Sequence, residues 1–197
     1  MMKLRATLLA LPVVLSLGGC ISFGAKPPPS LLTLSPAVTL PVGETRRSSD
    51  AATITIAVPA VPQELATARV PVHAGGTAIA YVKGAQWVEQ PARLFARLLA
   101  DTVASRTGRV VLSSRQSQLD PGAQLTGELR MFGVDSDTSE AVVVFDATLI
   151  RGEAAVFEKQ RFEARVPVSP IAAAPVAKAL GQAANEVATQ VADWVGK

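Results

Sequence analysis

Apolar and polar residues alternate along several short segments of the chain. Alternation with a period of two predicts strands, and it occurs in residues 53–58, 124–134, 140–151 and 155–168, while the short segment RVVLS at residues 109–113 is a further predicted strand. Two further segments, residues 69–73 and 77–83, flank a turn with Gly75 and Gly76. Two adjacent glycines favour a tight hairpin, because they accept positive φ without steric cost.

Two longer segments instead carry apolar residues at three- and four-residue steps, which predicts amphipathic helices. The first covers residues 89–107, with Pro91 near its start and Gly108 just past its end, as helix termini prefer. The second covers residues 175–197. The order of strands, helix, strands and helix predicts an α+β fold in which a mostly antiparallel sheet carries two main amphipathic helices on one face.

The first twenty residues show a third pattern. A basic start is followed by an apolar run of about a dozen residues, short of the roughly 20 that a bilayer-spanning helix needs, so it favours a secretory signal peptide. The residues that follow, Leu17, Gly18, Gly19 and Cys20, resemble the lipobox of bacterial lipoprotein precursors. In those precursors signal peptidase removes the residues before the cysteine, here residues 1–19, and the thiol carries diacylglycerol.

Cys20 is therefore the predicted lipidation site, with diacylglycerol on its sulfur and a further acyl chain, such as palmitate, on its nitrogen. Several acyl chains on one residue suffice for stable anchoring. The next residue is Ile21; in enterobacterial lipoproteins an Asp at this position resembles an inner-membrane retention signal. Its absence predicts a lipid anchor at the periplasmic face of the outer membrane.

Residues 20–50 are rich in Pro, Gly, Ser and Thr, with three consecutive prolines at positions 27–29. Such a composition predicts an extended tether that holds the domain off the membrane. Within it, the sequence LLTL at residues 31–34 suits either a first short strand or a continued disordered linker. Residues 51–197 are predicted to form one α+β domain.

Composition and charge exclude several classes of function. Hydrophobic residues make up 49% of the chain and charged residues 18%, which indicates a folded core rather than disorder. The net charge of +3 falls to +1 when Lys3 and Arg5 leave with the signal peptide, a balance too even for a nucleic-acid-binding surface. With one Cys and one His, no internal disulfide and no transition-metal site are expected, and no cofactor is expected besides the acyl chains.

The sequence lacks the common hydrolase, phosphate-loop, dinucleotide and zinc-protease motifs. A catalytic triad would need His73, the single imidazole, which lies in a predicted strand where a structural role is favoured; a periplasmic hydrolase is the enzymatic alternative. Asp135, Asp137 and Glu140 could bind Ca²⁺ weakly. Their position in a predicted turn favours hydrogen bonds to nearby backbone groups instead. The protein is therefore expected not to be an enzyme.

Tyr81 and Trp87 bracket the segment YVKGAQW that leads into the first helix. A Trp just before a helix favours a role as a packing anchor. The alternative for both aromatic residues is contact with a partner or a ligand.

The order of these features resembles the ABC-type transport auxiliary lipoprotein family. The lipobox, the tether with LLTLSP, the strand TITIAVP and, most specifically, residues 80–103 carry the resemblance. It implies a non-enzymatic outer-membrane lipoprotein that docks an MCE-domain periplasmic protein. That protein would work with an ABC permease and ATPase complex that moves lipid or other hydrophobic solutes between membranes.

The main alternative is a lipoprotein that activates or assembles another cell-envelope machine, since such a protein shares the anchor, tether and α+β domain. Sequence leaves open whether the domain itself holds lipid, and a homo-oligomer is possible.

Overall fold

A computed structural model describes residues 30–113, 115–118, 122–151 and 156–197. The predicted signal peptide, the lipobox with Cys20 and the prolines at positions 27–29 lie outside the described residues. Among the described residues, no helix is long and apolar enough to cross a membrane.

The strands and helices follow the predicted order along the chain. The helices are α1 (Pro91–Thr107) and α2 (Ala173–Val195), and two short 3-10 turns lie at Gln63–Leu65 and Gln116–Gln118. The strands are β1 (Thr53–Ile56), β2 (Arg69–Ala74), β3 (Ala78–Gln86), β4 (Val110–Leu112), β5 (Ala123–Asp135), β6 (Glu140–Arg151) and β7 (Val156–Pro167). The predicted segments match these elements, with ends that differ by no more than three residues.

All seven strands form one sheet of mixed orientation. β5, β6 and β7 form the predicted antiparallel meander. The other edge of β5 carries two separate groups: β1, with β4 beside it, pairs in parallel at Ile54↔Ala123, and the β2–β3 hairpin pairs in parallel at Val72↔Val134. The α+β prediction is confirmed, while the parallel pairings were not predicted.

Both helices pack on one face of this sheet. Phe145 and Phe162 are direct cross-strand partners and therefore point to the same side. The Phe95 ring of α1 lies 5.3 Å from the Phe145 ring, and the Trp194 ring of α2 lies 5.5 Å from the Phe162 ring. The hydrophobic core therefore lies between the sheet and the two helices, and these aromatic contacts are part of it.

Glycines stand where the backbone requires them. Gly75 and Gly76 have φ values of 57° and 76° in the turn between β2 and β3, so the hairpin prediction is confirmed. Gly108 ends α1 in the left-handed conformation, with φ 75° and its N–H donated to the Ala104 carbonyl, as a helix C-terminus favours.

The segment at residues 31–46, which we call the N-terminal strap, lies against the domain. Leu32 forms a single parallel bridge with Trp87 rather than a strand. Further along, the Ala37 N–H donates to Asn185 Oδ1 at 2.7 Å, and Arg46 Nη1 donates to the Ala104 carbonyl. The strap thus runs from the start of α1, past the middle of α2, to the last turn of α1.

Candidate functional site: the open sheet face

The face of β5, β6 and β7 that points away from the helices carries several ion-paired side chains. The strand register places Glu128, Asp146 and Arg161 side by side across the three strands. Alternation explains this arrangement, because the residues between them, such as Phe145 and Phe162, face the core. We call this surface the open sheet face.

Ion pairs fix the geometry of the open sheet face. Arg161 holds Asp146 with two hydrogen bonds, from Nε at 2.6 Å and from Nη2 at 2.7 Å. Arg130 Nη1 donates to Glu128 at 3.0 Å, and Arg130 Nε lies 4.0 Å from the second Asp146 oxygen. The hydrogen bonds from Arg161 lower the pKa of Asp146 and the same pairing raises the pKa of Arg161, so both groups are charged near neutral pH.

A concavity of about 620 Å³ lies within this face. It is lined by Gly127, Glu128, Asp146, Ala147, Thr148, Lys159, Gln160 and Arg161. Glycine is required at position 127 on the core side of the sheet, since a Cβ there would meet the Asp146 carbonyl oxygen and the Phe145 ring. The open, polar lining suits hydrogen bonds and ion pairs with another protein better than it suits an enclosed apolar ligand.

A second group of charges lies at the β5–β6 turn. Arg165 donates from Nε to Glu163 at 2.5 Å and from Nη1 to Glu140 at 3.2 Å, and its Nη1 lies 3.7 Å from Asp135. The hydrogen bonds to Glu163 and then Glu140 raise the pKa of Arg165. The open sheet face is therefore lined with fixed charges of both signs.

The carboxylates of this turn bond to backbone groups, as the turn interpretation predicts. Asp135 Oδ1 accepts the N–H groups of Asp137 at 3.0 Å and Thr138 at 3.4 Å. The Asp137 carboxylate in turn accepts the Gly75 N–H at 3.2 Å. In the part of the chain that the structure describes, no group of three His, Cys, Asp or Glu side chains is placed to hold a metal ion.

His73 lies in β2, opposite Ile79 of β3 and next to Asp135 of β5. The nearby Ser136 hydroxyl donates to the His73 carbonyl at 2.9 Å. A serine hydroxyl that acts as a nucleophile must bond to the imidazole ring instead. His73 is therefore a strand residue, and the Ser136 hydroxyl bonds to the His73 backbone carbonyl rather than to its ring.

The two candidate contact residues have different environments. Trp87 is only 1% exposed, and its ring meets that of Phe132 edge-on at 5.5 Å. Trp87 is therefore a packing anchor, and burial removes it from the surface that a partner can touch. Tyr81 is partly exposed on β3, where the Arg69 guanidinium lies 3.5 Å above its ring centre, so it stays a candidate contact residue.

The paired charges on the open sheet face were not singled out from the sequence. Their signal is an alternation of charged and apolar residues along three consecutive predicted strands. Only the strand register shows that Glu128, Asp146 and Arg161 lie in one row and form a single charged surface.

Comparison with known proteins identifies the family. The model of the ABC-type transport auxiliary lipoprotein component matches residues 32–192. The chain belongs to this family. The match begins at the strap residue that bridges to Trp87, and the resemblance seen in the sequence is confirmed. The protein is thus an envelope lipoprotein associated with an ABC-type transport system.

Solved structures show the same fold. A Xanthomonas campestris protein of the DUF330 family has 19% identity and a TM-score of 0.67, over 84% of this chain and 94% of that protein. An uncharacterised protein has 15% identity and a TM-score of 0.63, over 84% of this chain and 99% of its own. Among curated proteins, none matches the chain significantly.

Proposed function

We propose that this protein is anchored through acylated Cys20 at the periplasmic face of the outer membrane. It docks the MCE-domain protein of an ABC-type system that carries lipid or another hydrophobic solute between the membranes. It catalyses no reaction itself. The observation that carries the docking role is the open sheet face, where Asp146 and Arg161 are held in a fixed two-bond pair.

Fixed charges of both signs suit a docking surface for a physical reason. Charged groups across an interface contribute orientation and specificity more than raw affinity. The helices cover the opposite side of the sheet, so this face is the broad sheet surface left open among the described residues. The energy for transport would come from the ATPase, since the sequence carries no phosphate-binding loop motif.

A charge reversal on the open sheet face tests docking. Asp146→Arg changes the charge by two units and sets like charges beside Arg161 and Arg130. Capture of the MCE-domain partner from membrane extracts should fall about tenfold or more, which corresponds to roughly 1.4 kcal/mol. Glu186→Arg on the exposed side of α2 is the matched control, because it makes the same change of charge. Equal capture by both variants would contradict the proposal.

The anchor is tested separately by labelling with radioactive palmitate and by membrane fractionation. The wild-type chain should take up label and sediment with the outer membrane, whereas Cys20→Ser should take up none, because no other residue forms the thioether. Ile21→Asp should keep the label and move the protein toward the inner membrane. An unlabelled wild-type protein would refute the anchor.

A further inference from the structure

The N-terminal strap exposes an unusual set of apolar side chains. Ten large apolar side chains are exposed among the described residues; four of these belong to the strap, and a fifth, Val88, donates its N–H to the Leu32 carbonyl of the strap. The five are Leu31 (49% exposed), Val38 (45%), Leu40 (38%), Val42 (107%) and Val88 (53%). We call them the apolar strap surface. Single exposed apolar residues are ordinary, but a concentration of them indicates an interaction surface.

Backbone bonds and packing fix the first part of this surface. The Leu32 N–H donates to the Gln86 carbonyl at 2.7 Å, and the Val88 N–H donates to the Leu32 carbonyl at 2.8 Å. Leu32 and Leu34 pack against the core. Because side chains alternate along an extended chain, Leu31 is turned outward when Leu32 points inward.

A tight turn presents the most exposed member. The Glu44 N–H donates to the Pro41 carbonyl at 3.2 Å, and Gly43 has φ 87°. Val42 therefore stands at the tip of the turn, fully exposed. Turn tips favour Gly, Pro, Asn, Asp and Ser for their backbone properties, and those properties give no reason for a valine here.

The position of the lipid anchor indicates what covers this surface. From Cys20 to Leu31 the chain has eleven residue steps, which span at most about 40 Å when fully extended. The strap is therefore the first part of the described domain that the anchor draws toward the bilayer. By contrast, exposed Phe157 pairs with Ile150 on the open sheet face, on the other side of the sheet from the helices.

We propose that the apolar strap surface rests on the lipid leaflet that holds Cys20, with Val42 inserted among the headgroups. This inference depends on the proposed acylation of Cys20. It orients the molecule, because contact through the strap turns the helix side toward the membrane and the open sheet face toward the periplasm.

Charge gives the contact a defined lipid preference. Residues 44–50 contain Glu44, Arg46, Arg47 and Asp50, whose charges cancel, and Arg46 pairs with Glu44 at 2.7 Å. A surface without net positive charge gains little from anionic lipids, so apolar burial provides the contact. Zwitterionic bilayers should therefore support it.

A fluorescent probe tests this orientation on the mature lipidated protein in vesicles of phosphatidylethanolamine and phosphatidylcholine. Cys20 is the single cysteine of the sequence and is acylated, so an introduced cysteine is the only free thiol. Val42→Cys is labelled with an environment-sensitive fluorophore, and Phe157→Cys is the matched control at an equally apolar, exposed position. Doxyl-labelled phospholipid should quench the probe at position 42 about twofold or more relative to position 157.

Flotation of the vesicles separates the two proposals. If the labelled proteins do not float with the vesicles, the acyl anchor fails, and this inference falls with it. If they float and the probe at position 42 is quenched no more than the probe at position 157, the anchor stands and the inference is overturned. Protection of position 42 by the MCE-domain partner without quenching by lipid would also overturn it, because the strap would then be a protein contact.

Discussion

Trp87 joins three parts of the molecule through one residue. Its N–H donates to the Ala68 carbonyl at 2.7 Å, its backbone bridges to Leu32 of the strap, and its ring packs against Phe132 of β5. The indole Nε1 is buried and has no hydrogen-bond partner among the described residues. The residue therefore acts through its apolar ring and its backbone.

Two substitutions at this position test that description. Trp87→Ala should lower the free energy of unfolding by about 3–5 kcal/mol, the usual cost of deleting a buried aromatic ring. Trp87→Phe should cost clearly less, because it keeps an aromatic contact with Phe132 and removes an N–H that has no partner. Urea unfolding of both variants measures the difference. Equal losses would mean that the indole nitrogen makes an essential bond.

Asp146 should contribute to stability in a pH-dependent way. Hydrogen bonds from Arg161 hold its folded pKa below the ordinary value of 3.8. A lowered folded pKa gives stability that is present above the unfolded pKa and is lost as the pH falls through the folded pKa. The pair is exposed to solvent, so the contribution is small.

Asp146→Asn should therefore lower the free energy of unfolding slightly at pH 7. The difference from wild type should disappear as the pH falls through the lowered pKa, as measured by urea unfolding over an acidic series. Glu186→Gln is the control, because Glu186 has no side-chain partner among the described residues. A difference for Asp146→Asn that stays constant across the series would contradict the pairing.

At the level of elements, the strap depends on few bonds. Asn185 accepts the Ala37 N–H at 2.7 Å through Oδ1, and its Nδ2 donates to the Ser35 carbonyl at 3.0 Å and to the Gly181 carbonyl at 2.8 Å. One side chain of α2 thus holds the middle of the strap, while the helix keeps its own backbone bonds.

Asn185→Ala should loosen the strap without unfolding the domain. Loss of two hydrogen bonds at roughly 0.5–1.5 kcal/mol each makes local opening easier by about 1–3 kcal/mol. Trypsin should then cleave faster after Arg46 and Arg47, and hydrogen exchange across residues 33–46 should speed up. Gln182→Ala, at an exposed position of the same helix, should leave both rates unchanged. Unchanged rates in Asn185→Ala would show that other contacts hold the strap.

Elements whose cause is local could be predicted, and those that depend on distant contacts could not. The hairpin at Gly75 and the end of α1 at Gly108 follow from backbone preferences of a few residues. The strap was predicted as a tether because its prolines favour extended chain, and its bond to Asn185 joins residues 148 positions apart. Prediction of the Asp146–Arg161 pair likewise required the strand register. Alternation alone does not define that register, because a shift by two residues leaves every side chain on the same face.

At the scale of the whole molecule, the sheet separates two surfaces of different chemistry. The helices and the strap lie on one side, and the strap exposes apolar side chains. The other side is the open sheet face with its ion pairs. Such a division suits a lipoprotein in a transport system, because attachment to lipid and attachment to a partner would depend on different forces.

Salt should therefore separate the two attachments. At about 1 M salt the Debye length is about 3 Å, and interactions between exposed charges are largely screened, whereas acyl chains stay in the bilayer by apolar burial. Washing isolated outer membranes with such a solution should release the proposed MCE-domain partner and leave this protein in the pellet, as measured by immunoblots of both fractions. Release of this protein would contradict an acyl anchor. Retention of the partner would mean that docking is mainly apolar, because fixed charges on the open sheet face could not hold it under those conditions.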